Sequence, residues 1–286
     1  MYKGIDLHLH TTASDGSDSP RELIEKAKEI GLDVISITDH DTIAGSLEAI
    51  SLPYDGVKVI TGIEFSCKTE GCDGFECHIL GYGFDPEHPA LLSAIDHGRQ
   101  MRLYKLELRL VYLRERFGIE FTEDEIAWLH SLNSVARPHL ARLIIKHGLA
   151  TDVADAFDKY LKVGGFPDDR IDAREAIDAI LVSGGIPVFA HPLGGEREPR
   201  IADGELLRRV GILGSMGLMG LECLYSRYST EDSDLLVSLA RSHGMLISGG
   251  SDYHGENKTV KLGSLLADCD IPDLSKITVI DCLTGK

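Results

Sequence analysis

The feature that most constrains this chain is a repeated join. Short apolar runs end, one after another, in His, Asp or Glu, and amphipathic stretches lie between them. The runs are Gly4–Leu9, Asp33–Thr38, Val57–Ile63, Glu76–Tyr82, Ile186–Ala190, Leu218–Leu224 and Met245–Ser248. Runs that are apolar throughout predict strands buried on both faces, and their alternation with helices predicts a mostly parallel sheet covered by helices. The 286 residues suit one α/β barrel, an architecture of roughly 250 residues. Helix punctuation agrees with this frame. Ser19-Pro20 followed by Glu22 opens a helix that Gly31 ends. Thr122 with Glu125 and Asp172 with Glu175 open others, and Gly184-Gly185 closes the last of these.

The alternation lapses from residue 90 to residue 170, where the pattern is helical throughout. Ala90–Phe117 is long and periodic, with Leu103, Leu106, Leu110 and Leu113 on one face. We expect residues 1–89 and 171–286 to form the barrel and residues 90–170 an inserted helical cap. The single tryptophan, Trp128, is expected in the core of the cap.

In parallel α/β folds, side chains at the C-terminal strand ends converge on one mouth. His8 and His10 end the first run, and residues two apart in a strand point to the same side. Asp15 follows in a polar turn. Asp39, His40 and Asp41 end the second run and Glu64 the third. His78 lies in the fourth, His191 ends the fifth, and Asp252 and His254 follow the seventh. His8, His10, Asp15, His40, Glu64, His78, His191, Asp252 and His254 are more ligands than one ion takes. Two or three ions, with Glu64 as a bridge, account for the set. A lone histidine at a strand end is more often a hydrogen-bonded structural residue, and an Asp after a strand is often a helix cap, as Asp39 or Asp41 would be. The joint pattern is what separate accidents would not produce. Glu222, in the sixth run, is its weakest member. His88, His97, His130, His147 and His243 fall in helices or loops away from the strand ends, and surface or helix-end places are expected for them.

A second signal is Arg137-Pro138-His139 at a helix start. Pro suits the first helical turn, and an Arg there projects where anions bind. Its guanidinium would grip a phosphate with two prongs. Arg170 is a similar candidate, and the plain alternative for both is a surface arginine.

The net charge of −17 disfavours a stable nucleic-acid complex and reads as a solvated acidic surface. It does not oppose a small anion, because bound cations reverse the sign locally. The opening MYKGIDLHLH lacks a basic stretch followed by an apolar run, and no membrane span is apparent, so a cytoplasmic protein is expected. Cys67, Cys72 and Cys77 are evenly spaced but fit no usual zinc module, and reduced thiols are the better account.

Together, His8-x-His10, Thr38-Asp39-His40, Glu64, His78, Ala190-His191-Pro192 and Ser251-Asp252-x-His254 resemble the PHP family, named for polymerase and histidinol phosphatase. The similarity spans almost the whole chain. It implies a distorted (β/α)7 barrel with a helical insertion and a trinuclear site of Mn, Fe or Zn. By position, His8, His10, Glu64 and Asp252 look like ligands of one ion. Glu64, His78 and His191 look like those of a second, and Asp15, His40 and His254 those of a third. Ser14-Asp15-Gly16 and the inserted Arg-Pro-His resemble the branch that acts on nucleotides and small sugar phosphates. Its activities include nucleotide and bisphosphate nucleotide phosphatases, an RNA 5′-end nuclease, and a phosphodiesterase of phosphoribosyl 1,2-cyclic phosphate. Relatives often carry a basic residue shortly before the position of Arg170, where this chain has Asp168-Asp169. That departure leaves a compact sugar phosphate open as substrate.

The expected function is hydrolysis of a small phosphate ester by a hydroxide held between two metals. Arg137, His139 and Arg170 would bind substrate, Arg137 would also neutralise the phosphoryl oxygens as charge shifts, and His191, Asp39 or a metal-bound water would serve the leaving group. The rivals are an amidohydrolase acting on C–N bonds and a non-catalytic metal-binding module. The final Asp252-x-His254 favours phosphoesters over the first, and the complete ligand set disfavours the second.

Overall fold

The computed structural model describes residues 2–284 apart from 54–55, 72–73, 163–165, 167–169 and 197. Cys72 and Asp168-Asp169 therefore lie outside the described residues. The fold is α/β, with nine strands among the described residues. They are β1 (Ile5–Leu9), β2 (Val34–Ile37), β3 (Lys58–Ile60), β4 (Gly62–Lys68), β5 (Glu76–Tyr82), β6 (Ile171–Asp172), β7 (Ile186–Phe189), β8 (Gly220–Tyr225) and β9 (Leu246–Gly250). The helices are α1 (Pro20–Glu29), α2 (Ala44–Ser51), α3 (Pro89–Phe117), α4 (Glu123–Ser131), α5 (Arg137–Lys146), α6 (Val153–Ala156), α7 (Ala173–Val182), α8 (Asp203–Ser215), α9 (Thr230–Ser242) and α10 (Val279–Thr284). None is long and apolar enough to cross a membrane.

The strands form two sheets, β1-β2-β3 and β6-β4-β5-β7-β8-β9. Two isolated bridges connect them. Leu9 pairs with Tyr253 just past β9, and His40, just past β2, pairs with Glu64 of β4. Within the larger sheet, β5 runs antiparallel to both β4 and β7, and the other pairings are parallel.

The predicted strand Val57–Ile63 is in fact two. β3 pairs with β2, the chain turns at Thr61, and β4 continues to Lys68 in the second sheet. Gly62 permits the crossing, because a Cβ there would overlap Ser36 and press on the carbonyl of Ile37. The correction matters for the site. Glu64 does not end a strand but sits inside a hairpin. His78 lies near the start of β5, and because β5 is antiparallel its start reaches the rim where the parallel strands end.

The helix signals hold. Ser19 and Thr122 form capping boxes with Glu22 and Glu125, and the Asp172 side chain accepts from Arg174 N. Leu106 and Leu113 are buried, and Leu103 and Leu110 pack beside them, in a hydrophobic cluster made from α3 to Leu161 and separate from the cluster under the larger sheet. Trp128 is a correction. It is 38% exposed, because α4 buries the face of Glu125 and Leu129 instead. The helix and loop histidines are where expected: His88 caps α3, His147 and His243 end α5 and α9, and His97 and His130 pair with Glu175 and Glu107.

Candidate metal centre

β1 carries His8 within the strand and His10 one residue beyond it, both fully buried. The end of β9 lies close to them because Gly250 has no Cβ; one there would overlap the Cβ of His8. Asp252 N then donates to His8 O at 2.8 Å, and His10 N donates to Tyr253 O at 3.0 Å, so the segment after β9 is tied to β1. Three non-glycine residues hold positive φ among the described residues: Asp41 (51°), His191 (30°) and Asp252 (59°). All three stand at this rim. Such strain is kept where surrounding structure over-determines the backbone, commonly at functional sites.

Glu64 is the centre of the arrangement. Its Oε2 lies 3.2 Å from Nε2 of His8, 3.2 Å from Nε2 of His10 and 3.0 Å from Nδ1 of His40. Its Oε1 lies 2.9 Å from His78 Nδ1 and 3.2 Å from His191 Nε2. Asp252 Oδ1 lies 3.6 and 3.3 Å from the same nitrogens of His8 and His10. Asp15 Oδ1 lies 3.3 Å from His254 Nε2 and 4.0 Å from His40 Nε2. All nine residues singled out from the sequence are thus brought together. Three groups have donor atoms close enough for an ion: His8, His10 and Asp252; His40, Glu64 and His78; and His10, Asp15, His40 and His254.

The donor atoms fit cations. His8 Nε2, both His10 nitrogens, His40 Nδ1 and Glu64 Oε2 are buried without a hydrogen-bond partner. An unsatisfied buried polar atom costs about 1–3 kcal/mol. Five such atoms facing one another are costly as they stand and become an asset once a divalent ion supplies the missing partner. Imidazole and carboxylate together suit first-row transition ions.

The electrostatics point the same way. Burial pushes Glu64 and Asp252 toward neutrality, but His40 beside Glu64 and Lys258 beside Asp252, with the other imidazoles, hold both well below the usual carboxylate range. Burial also drives His40 and His254 below their ordinary value. His10 is pushed the other way, up to about 9: burial opposes its charge, but the nearby carboxylates of Asp252 and Glu64 outweigh burial. A proton there meets the same demand for positive charge that a metal would.

Neighbouring residues orient this set. Glu222, fully buried, accepts from His8 Nδ1 at 2.9 Å and from the His191 backbone N at 2.7 Å. This leaves His8 Nε2 for the centre. His254 Nδ1 bonds the Asp252 carbonyl at 2.9 Å. Tyr225 and Lys258 donate to Asp252 Oδ2 at 2.9 and 2.7 Å, so Oδ1 is the oxygen that faces the histidines.

Three further residues singled out from the sequence are placed as follows. Asp39 has both oxygens engaged, Oδ1 by Thr11 N (2.7 Å) and Ser14 Oγ (2.6 Å) and Oδ2 by Thr11 Oγ1 (2.7 Å), and it is fully buried. It braces the loop that carries Asp15. His139 accepts from Ala136 N through Nδ1 at 3.0 Å and packs against Trp128, so it caps α5 and does not line the cavity. His191 turns Nε2 to Glu64 Oε1 at 3.2 Å.

Above the centre lies a cavity of about 490 Å³. Its floor includes Asp15, His40, Glu64, His78, His191, Asp252 and His254, and its other walls include Lys105, Arg109, Arg137, Arg170 and Lys258. Arg137 stands over the Phe157 ring at 5.2 Å, and Arg170 pairs with Glu76. Sequence reasoning missed Arg102, Lys105 and Arg109. Their spacing of three and four was the available signal, one position ahead of the leucine stripe of α3.

The PHP domain family matches residues 6–180. The chain is 33% identical to the 5′-3′ exoribonuclease Rnm of Escherichia coli, over 91% of this chain and 88% of that protein. It is 31% identical to the 3′,5′-nucleoside bisphosphate phosphatase of Chromobacterium violaceum, over 87% of each. It is also 31% identical to the phosphoribosyl 1,2-cyclic phosphate 1,2-diphosphodiesterase of Eggerthella lenta, over 88% of this chain and 94% of that one. A solved structure from Bifidobacterium adolescentis, described as a metal-dependent phosphoesterase, superposes with a TM-score of 0.81 at 29% identity, covering 99% of both chains. On the histidine and carboxylate centre and these similarities together, the chain belongs to the PHP domain family.

Proposed function

We propose that this protein is a metal-dependent hydrolase of small phosphate esters. One observation carries the reading: a buried carboxylate, Glu64, faces five imidazoles at the floor of a cavity whose other walls hold cationic side chains. His8, His10, Glu64 and Asp252 would hold one ion, Glu64, His78 and His191 a second, and Asp15, His40 and His254 a third, with manganese, iron or zinc as candidates. The contact of His40 with both Glu64 and Asp15 supports a shared centre of this kind. Divalent ions bound there supply Lewis acidity toward phosphoryl oxygens and an activated water.

The rest of the work falls to the chain itself. Arg137, first residue of α5, and Arg170 offer guanidinium groups to phosphate oxygens. Lys105 and Arg109 offer charge to a second anionic group. That suits a substrate with two anionic groups, either a nucleoside bisphosphate or a phosphoribosyl cyclic phosphate. The cavity volume suits a molecule of this size. The 5′ end of a short RNA, with its series of phosphates, is the second reading, supported by the similarity to Rnm. A carboxylate, not a lysine, occupies the position between the histidine groups, which disfavours the C–N hydrolase alternative.

We further read the strands β1, β2, β4, β5, β7, β8 and β9 as a distorted (β/α)7 barrel, supported by the two bridges that link the sheets. Residues 90–170 act as a cap on it, supported by their own hydrophobic cluster. Free thiols at Cys67, Cys77, Cys223, Cys269 and Cys282 suit a cytoplasmic setting.

The test is phosphate release by manganese-loaded protein from nucleoside monophosphates, 3′,5′-bisphosphates, short RNA and cyclic sugar phosphates. Release from bisphosphates or nucleotides supports the leading reading. Release from cyclic esters supports it as well and fixes the substrate, and release only from RNA redirects it. No release from any, with metal bound, overturns it.

A further inference from the structure

Arg102 of α3 ties the helical insertion to the floor of the site. Its Nε and Nη2 each lie 2.6 Å from Asp41 Oδ2. Nη2 also donates to Ser66 Oγ at 2.8 Å, and Nη1 donates to the carbonyl of Val135 at 3.3 Å. Each partner adjoins a residue of the site. Asp41 follows His40, Ser66 lies two beyond Glu64 on β4, and Val135 lies two before Arg137.

The floor side of this contact is itself over-determined. Asp41 Oδ1 accepts from Ser66 N at 2.9 Å, and Asp41 N donates to Glu64 O at 2.9 Å. Asp41 holds a left-handed φ of 51°, and its side chain is 3% exposed. One turn before Arg102, Gly98 of α3 lies alongside the Asp41 side chain, where even a Cβ would make only ordinary contact at 3.4 Å. A planar guanidinium can serve two groups on the floor and one on the insertion at once. An ammonium at the same place cannot span them.

We propose that Arg102 is a positioning residue that sets Arg137 against the metal floor, so that the N-terminus of α5 and the His40–Asp41 turn move as one unit. Arg102 touches none of the nine candidate ligands, and its effect on turnover runs through Arg137 and the turn. The kinetic half of the inference rests on the phosphoesterase reading, and the mechanical half does not.

The experiment compares wild type, Arg102→Lys, Arg137→Ala and the double variant, all loaded with manganese. Hydrogen exchange is read at the amides of residues 41, 66, 136 and 139. In Arg102→Lys, protection is expected to fall on both sides together, with metal content and melting temperature near wild type. On the best substrate of the panel, Arg102→Lys is expected to lower kcat/KM by about 10-fold or more, since small misplacement of a binding group is costly. Adding Arg102→Lys to Arg137→Ala is expected to lower it little further, because the group being positioned is already gone. Protection lost on one side only, effects that multiply in the double variant, or metal lost in proportion to rate would each overturn the proposal. If wild type itself releases no phosphate, the functional reading fails, and the exchange data still decide the mechanical half.

Discussion

His8 Nδ1 donates to Glu222 Oε1 across 2.9 Å, and neither residue is exposed. This bond sets the ring so that Nε2 faces Glu64 and Asp252. Glu222→Gln should therefore weaken metal binding, by about 10–100-fold as for other partners of ligating histidines. Competition against a chelator measures this. Unchanged affinity would leave Glu222 as a packing residue only.

Glu64 contacts more of the centre than any neighbour described above. Glu64→Gln keeps its shape and removes the charge that offsets the cations. We expect loss of bound metal and a fall in kcat of at least about 10²-fold, the scale on which removal of a key electrostatic group acts. Elemental analysis with steady-state rates checks both. Full metal content with normal turnover would remove Glu64 from the centre.

Arg137 lines the cavity but belongs to none of the groups able to hold an ion. Arg137→Ala should leave metal content intact and weaken substrate binding or turnover by about 10–100-fold, the worth of a charge-assisted hydrogen bond of about 1.5–3 kcal/mol. Unchanged kinetics would exclude it from substrate contact.

Glu125 supports the insertion. It closes the capping box of α4 with Thr122 and accepts from Lys146 at 2.8 Å and His147 at 2.9 Å. The hydrogen bond from Lys146, with those from Thr122 and His147, holds its carboxyl down at about 2. A depressed carboxylate contributes stability above its unfolded pKa of about 4.3 and loses it as the pH falls through the folded value. Trp128 sits on the same helix and is the only tryptophan, so its fluorescence reports this region. Urea midpoints followed by Trp128 should fall from about pH 4.3 toward pH 2 in wild type, and this part of the fall should be absent in Glu125→Gln. Parallel pH profiles would show that the network contributes nothing.

Much of the candidate site was legible from local patterning. The i, i+2 rule placed His8 with His10, and the ends of apolar runs picked out His40, Glu64, His191, Asp252 and His254. Capping residues marked the starts of α1 and α4. These signals are local, because side-chain alternation and helix capping depend on residues a few positions apart. The bond of His139 to Ala136 N, by contrast, was not legible: Arg-Pro-His at a helix start does not say which side chains face outward.

The sequence by itself determined the α/β class, the helical stretch between β5 and β6 and which histidines and carboxylates gather at the rim, because periodicity and strand ends are written in neighbouring positions. The tertiary structure alone decided how they meet. The split of one predicted strand into β3 and β4 depended on the close crossing at Gly62, and the antiparallel course of β5 brought His78 to the common rim. The pairing of His8 with Glu222, the engagement of Asp39 by Thr11 and Ser14, and the reach of Arg102 to Asp41 join residues 214, 25–28 and 61 positions apart. Such contacts depend on the path of the whole chain, and no local pattern encodes them.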